Sequence, residues 1–129
     1  MNLSYGIPAG AVRAVHLVQD QSVPSGQPVT LVEVLIDDVG GQTWLRFRFV
    51  APQIARNTGT ITFEAAAADM AHLCDQVAVP YIAEYDLTGD IVVISMSDRP
   101  VDFGAFDQDA TQFFEAYRLE GDACVWEAL

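Results

Sequence analysis

The residues able to do chemistry in this 129-residue chain are few and scattered. Four aspartates, Asp98, Asp102, Asp107 and Asp109, crowd one stretch, SDRPVDFGAFDQDA, with Arg99 among them. Carboxylates converging from a loop are what calcium requires, but the spacing here matches neither an EF-hand nor a repeat-type calcium motif. The same loop offers a second chemistry. Asp98 or Asp102 beside Arg99, in a cleft at the end of a strand over 91–96, would suit a small hydrolase or isomerase, provided burial raises one carboxyl pKa. Against both stands the ordinary reading: a solvated acidic loop that Arg99 helps to order. Phe103 and Phe106 flank these charges. If the two rings are exposed, Asp98, Arg99, Asp102, Phe103, Phe106 and Asp107 form a candidate protein-binding patch.

Other candidates are weaker. The two histidines are His16 and His72. His72 falls on the polar side of a helix near Asp69 and Asp75, the setting of a solvated surface histidine. Ser95 and Ser97 sit on a different element, and nothing resembles G-x-S-x-G. All six basic residues are arginine, which removes Schiff-base chemistry, a lysine nucleophile and the phosphate-loop lysine together. Cys74 and Cys124 are the only cysteines, and with no C-x-x-C they supply no metal cluster. No catalytic residue, metal site or cofactor is therefore assigned.

Charge narrows the partners. The net charge is −12, and residues 84–129 carry eleven carboxylates against Arg99 and Arg118, a balance of −9. Such a surface repels phosphate backbones and anionic lipid, which disfavours nucleic acid and membrane surfaces and leaves a basic protein partner. No stretch reaches the ~18–20 apolar residues of a membrane span. At 51% hydrophobic and 19% charged residues the chain is a folded one, and its length suits a single domain over 1–129. Residues 1–23 read as a loosely attached segment at its edge, with no basic region and apolar run of a signal peptide.

The elements that must position these residues are legible from periodicity. Val29–Ile36 and Thr43–Val50 read as a hairpin about the turn residues 37–42. Odd-sum pairing, such as Glu33 with Arg46, puts Thr30, Val32, Val34 and Ile36 on one face with Leu45, Phe47 and Phe49. Glu33 then lies opposite or diagonal to Arg46 and Arg48 on the other face. Upstream, 11–18 fits a short strand or a helical turn. Phe63 to about Val77 is a helix: Thr62 caps it, Phe63, Ala66, Ala67, Met70, Leu73, Cys74 and Val77 form its apolar stripe, and Pro80 stops it. Asp90–Ser97 is a continuous apolar run, as in a strand covered on both faces. Thr111–Glu120 and Ala123–Glu127 read as a hairpin about Gly121-Asp122, with Phe113, Phe114, Tyr117 and Trp126 supplying core mass; a helix over 109–117 is the rival. The sum is an α+β protein: a mainly antiparallel, curved sheet of five to six strands with one principal helix, about 63–77, packed on it.

Five segments, PSGQPVTLVEVLID, WLRFRFVAPQI, DMAHLC, IVVISMSDRPVDFG and ATQFFEAYRLEGDACVWEAL, together resemble a small uncharacterised family of alphaproteobacterial proteins. The resemblance covers about residues 24–129. It implies an exported protein whose leader precedes the PSGQ-like segment, hence a periplasmic location; the absence of a leader in this chain keeps a cytoplasmic one as the alternative. Some members carry the name acetolactate synthase, a misnomer for a chain this short, since a thiamine-dependent enzyme builds its cofactor cleft between large α/β domains. With export implied, Cys74 and Cys124 favour a structural disulfide tying helix to last strand, worth roughly 3–4 kcal/mol, over two buried thiols. The functional expectation is a non-catalytic, acidic binding or accessory module of the cell envelope acting through protein–protein contacts. The alternative is the small hydrolase or isomerase built on Asp98, Asp102 and Arg99.

Overall fold

The computed structural model describes residues 11–128, with side chains from residue 19 onward. Six strands form one sheet in sequence order: β1 (Ala11–Gln21), β2 (Val29–Val39), β3 (Gln42–Val50), β4 (Ile91–Ser97), β5 (Gln112–Glu120) and β6 (Ala123–Glu127). Neighbours are antiparallel except β3 and β4, which run parallel. A parallel pair needs a crossover. Here residues 51–90 make it, and they carry a helical rod of 22 residues across one face of the curved sheet. The expected α+β class is the one observed. The stretch 11–18 is strand rather than helical turn; its side chains, His16 among them, lie outside the described residues.

The central hairpin has the expected parity but tighter ends. Its turn is two residues, Gly40 and Gly41, at φ +57° and +85°. Positive φ at both positions suits the two-residue turn that matches strand twist. The strands therefore run on to Val39 and Gln42, and the turn is not the six residues expected. Val34 pairs with Phe47 and Ile36 with Leu45, both on the helix side. A bulge at Val32 then inverts the alternation. Val29 and Leu31, 2% and 1% exposed, enter the core in place of Thr30 and Val32. The register that runs unbroken from the two-residue turn places Glu33 directly opposite Arg48, leaving Arg46 across from Leu35.

The core lies between sheet and rod. Leu45, Phe47, Phe49, Val92, Ile94, Met96 and Tyr117 meet Ala66, Met70, Leu73, Cys74 and Ala78. β4 is buried from Ile91 to Met96, as its unbroken apolar run predicts. In the rod, α1 (Phe63–Leu73) opens on Thr62, whose Oγ1 accepts from Ala65 N at 3.2 Å. Pro80 does not stop it. The segment Cys74–Ala78 takes the wider π turn, with Val79 N–H donating to Cys74 O, and α2 (Val79–Glu84) follows. That shift sets Pro80 in the first turn of a fresh α segment, where a missing N–H costs little. Cys74 and Cys124 are bridged, with their Cα atoms 6.2 Å apart, joining the π segment to edge strand β6.

Asp69, read from periodicity as lying off the apolar stripe, is fully buried. It accepts from Ser25 N at 2.9 Å, Ser25 Oγ at 2.5 Å and Gln27 Nε2 at 2.7 Å, locking the β1–β2 loop onto α1. A buried carboxylate survives only when its lone pairs are met, and three donors meet them here. Truncation to Ala strands the buried Gln27 amide and the Ser25 N–H. Asp69→Ala is expected to destabilise by roughly 2–3 kcal/mol in urea titration. A cost near zero would mean the loop is held by other contacts.

Candidate functional site

The sheet face turned away from the helix carries the site. Alternation sends Trp44, Arg46 and Arg48 of β3, Val93, Ser95 and Ser97 of β4, and Gln112, Phe114 and Ala116 of β5 to this side. Two ion pairs cross it. Arg46 Nε donates to Asp37 at 2.9 Å, and Arg48 Nη1 to Glu33 at 2.6 Å, with each side chain no more than 20% exposed. Arg46 thus pairs with Asp37 and not with Glu33, because Asp37 belongs to β2 once the turn is only two residues long.

The loop between β4 and β5, residues 98–110, folds over this face and is pinned at several points. Arg48 Nη2 donates to Val101 O at 2.6 Å. Phe103 lies under both guanidiniums, its centroid 5.3 Å from Arg46 Cζ and 5.6 Å from Arg48 Cζ. Ser97 Oγ donates to Arg99 O at 2.6 Å. From the far side Arg56 donates to Gln108 O at 2.9 Å and Ala110 O at 3.3 Å. The loop backbone is therefore set from both flanks.

The six sequence-predicted site residues separate into two groups. Asp98 is an anchor: its carboxylate, 5% exposed, accepts from Thr111 N at 2.8 Å and from Arg99 at 3.3 Å. That hydrogen bond first, and the Asp98 charge second, raise the exposed Arg99 guanidinium above its ordinary pKa. Phe103 is half-buried against the arginines and serves to hold the loop. Asp107 closes a local turn, accepting from Asp109 N at 2.9 Å. Asp102 is exposed, and Phe106 stands 89% exposed near the loop's tip. Two of the loop's four aspartates, Asp98 and Asp107, thus accept from backbone N–H groups, while Asp102 and Asp109 are exposed. Among the described residues no three His, Cys, Asp or Glu side chains converge as metal ligands.

Three grooves run together beneath and beside the loop, with Phe114 lining each. The first, about 230 Å³, holds Glu33, Arg48, Ser95, Ser97, Arg99 and Asp102. The third, about 370 Å³, is lined by Trp44, Arg46, Val93, Phe114 and Ala116, with the C-terminal end of β6 at its border. Phe114 and Trp126 are 57% and 62% exposed, so they do not supply the core mass expected of them; Phe113 packs against the core and Tyr117 is buried in it. Phe114 follows from strand alternation, which sends it opposite to Phe113 and Tyr117. Trp126 is exposed because β6 is the sheet's edge. Burial, with the nearby charges of Glu115 and Asp75 adding to it, pushes the Tyr117 phenol above its ordinary pKa. It is a core group and not an acid in reach of the grooves.

Sequence reasoning missed Asp69, Ser25 and Gln27, although a signal existed. Asp69 stands three residues after Ala66 and four before Leu73, on the flank of the buried stripe.

Fold and site together define an α+β protein with one sheet face covered by a helix and the other by a pinned acidic loop. The chain belongs to a family of unknown function, DUF6497, whose model matches residues 8–129 and so reaches further toward the N-terminus than the resemblance read from the sequence. No curated protein and no solved structure matches the chain.

Proposed function

We propose that the protein is a non-catalytic binding or accessory module of the cell envelope, docking a basic protein partner on the loop 98–110. The observation that carries this reading is Phe106, a large apolar ring 89% exposed on a loop with a fixed backbone. Exposed aromatics on rigid supports are the usual energetic centres of interfaces, because little entropy is lost on contact. Asp102 and Asp109, exposed on the same loop, give the rim a sign that selects Lys and Arg on the partner. The bridge between Cys74 and Cys124 supports an oxidising compartment and hence the periplasm. The groove beside Arg99, lined also by Asp102, Ser95 and Ser97, favours a hydrolase or isomerase as the second reading. Asp98, one half of its acid pair, is spent on the loop anchor and does not line that groove.

The test starts from a partner that copurifies from native extract and is identified by mass spectrometry. Association should slow as salt rises from low to physiological levels. Asp102→Lys with Asp109→Lys should lower the association rate about tenfold, while the melting temperature moves little, since exposed charges contribute little to folding. Phe106→Ala should speed dissociation. Association indifferent to salt and to all three substitutions would sink the docking loop, leaving the acidic surface a solubility feature.

A further inference from the structure

Strand pairing sets Arg48, Ser95 and Phe114 in one row across β3, β4 and β5 on the open face. Ser97 and Gln112 stand side by side in the next row. Two grooves of about 230 Å³ each lie between these rows and the loop. They share Arg48, Ser95, Asp102, Gln112 and Phe114, so they form one continuous groove. Each is smaller than the ~300–1,000 Å³ of a drug-sized pocket, room for one ring at a time.

Its polar groups are largely uncommitted. Among the described residues, the side chains of Ser95, Gln112 and Asp102 have no hydrogen-bond partner, and Arg99 spends one nitrogen, on Asp98. The groove thus offers an acceptor in Asp102, donors in Arg99, and both functions in Ser95 and Gln112. Charge decides among ligands. An anion would meet Asp102 and a net charge of −12, and both arginines already hold carboxylates, Glu33 and Asp98. A cation would gain Asp102 and face two guanidiniums. An apolar ligand would cover the free donors and acceptors without pairing them, which is costly. An uncharged ligand dense in hydroxyls answers all of them, because each hydroxyl both donates and accepts. One apolar demand remains. Phe114, 57% exposed at the end of its row, presents a ring that the C–H face of a pyranose can cover.

We propose that this groove binds a pyranose unit of an uncharged glycan, stacked on Phe114, with Ser95, Gln112, Asp102 and Arg99 meeting its hydroxyls. Cleavage is not part of the proposal. Glycoside hydrolysis uses two carboxyl groups, and here Asp102 is free while Glu33 is held by Arg48 at 2.6 Å. The glycan seat does not rest on the docking loop's tip, since Phe106 lines neither groove.

The probes are cellohexaose, maltohexaose and chitohexaose, all uncharged, and hexagalacturonate as the anionic control, titrated into the full chain by calorimetry. At least one uncharged probe should bind one to one, with an affinity that does not change from low to physiological salt. Hexagalacturonate should not bind, and the bound sugar should be recovered at its original mass. Phe114→Ala should weaken binding about tenfold, and so should Phe114→Leu, which keeps apolar bulk without a ring. Phe114→Tyr should preserve it. Gln112→Ala should weaken it about fivefold, as loss of a ligand hydrogen bond does. Phe106→Ala should leave it intact. No binding of any uncharged probe, preference for the acidic one, shortened sugar, or an affinity indifferent to the Phe114 ring overturns the seat.

Discussion

Phe47→Ala is expected to destabilise the protein by roughly 3–5 kcal/mol, the range for truncating a buried aromatic. Phe47 is fully buried at the centre of β3, and its ring meets Tyr81 edge-on at 5.5 Å and 88°. Pairing with Val34 on β2 and Ile94 on β4 closes it in from both sides. The cavity left by an alanine cannot collapse easily, because sheet and helical rod are held apart by the rest of the layer. The midpoint of urea unfolding measures the effect, with Phe114→Ala as the comparison. Phe114 is 57% exposed on the opposite face and its truncation should cost under about 0.5 kcal/mol, as surface changes do. The reverse ranking would mean that the faces of the sheet are swapped.

Opening the bridge between Cys74 and Cys124 is expected to cost about 4 kcal/mol, from the chain entropy of the loop it closes. The sequence separation is 50 residues, long enough for the unfolded chain to gain much freedom. Strand β6 is short, at five residues, and pairs on one side only, with β5. Its tie to the rod is the bridge, together with the hydrogen bond from Cys124 N to Asp75 at 3.1 Å. The double variant Cys74→Ala, Cys124→Ala should therefore unfold at lower urea and show early loss of order at Trp126. Intact mass should rise by about two units on reduction of the native protein, one hydrogen for each sulfur. Alkylatable thiols in fresh, unreduced protein would contradict the bridge, and with it the support for an oxidising compartment.

How much of this was legible in the chain itself differs between fold and site. The hairpin's parity follows from Phe47 and Phe49 alternating with Arg46 and Arg48, since a strand turns successive side chains to opposite faces. The helix over its first four turns follows from a capping threonine and an apolar stripe, both local properties. The unbroken run Ile91 to Met96 placed β4 inside the sheet, because only a strand covered on both faces has use for apolar residues at every position.

Three features were decided by tertiary structure alone. The bulge at Val32 leaves Val29 and Leu31 to the core, and nothing local distinguishes that pairing from an unbroken one; the sheet on either side selects it. Asp69 is buried because Ser25 and Gln27, more than forty residues away, arrive with three donors, and no periodicity records a distant donor. Pro80 continues the rod because the π turn before it moves the proline to a position where its missing N–H is not needed. The site follows the same division. Its residue types were visible as an acidic loop with two phenylalanines. Which ring would be spent holding the loop and which would face solvent depended on where Arg46 and Arg48 stood, and that is a property of the folded sheet.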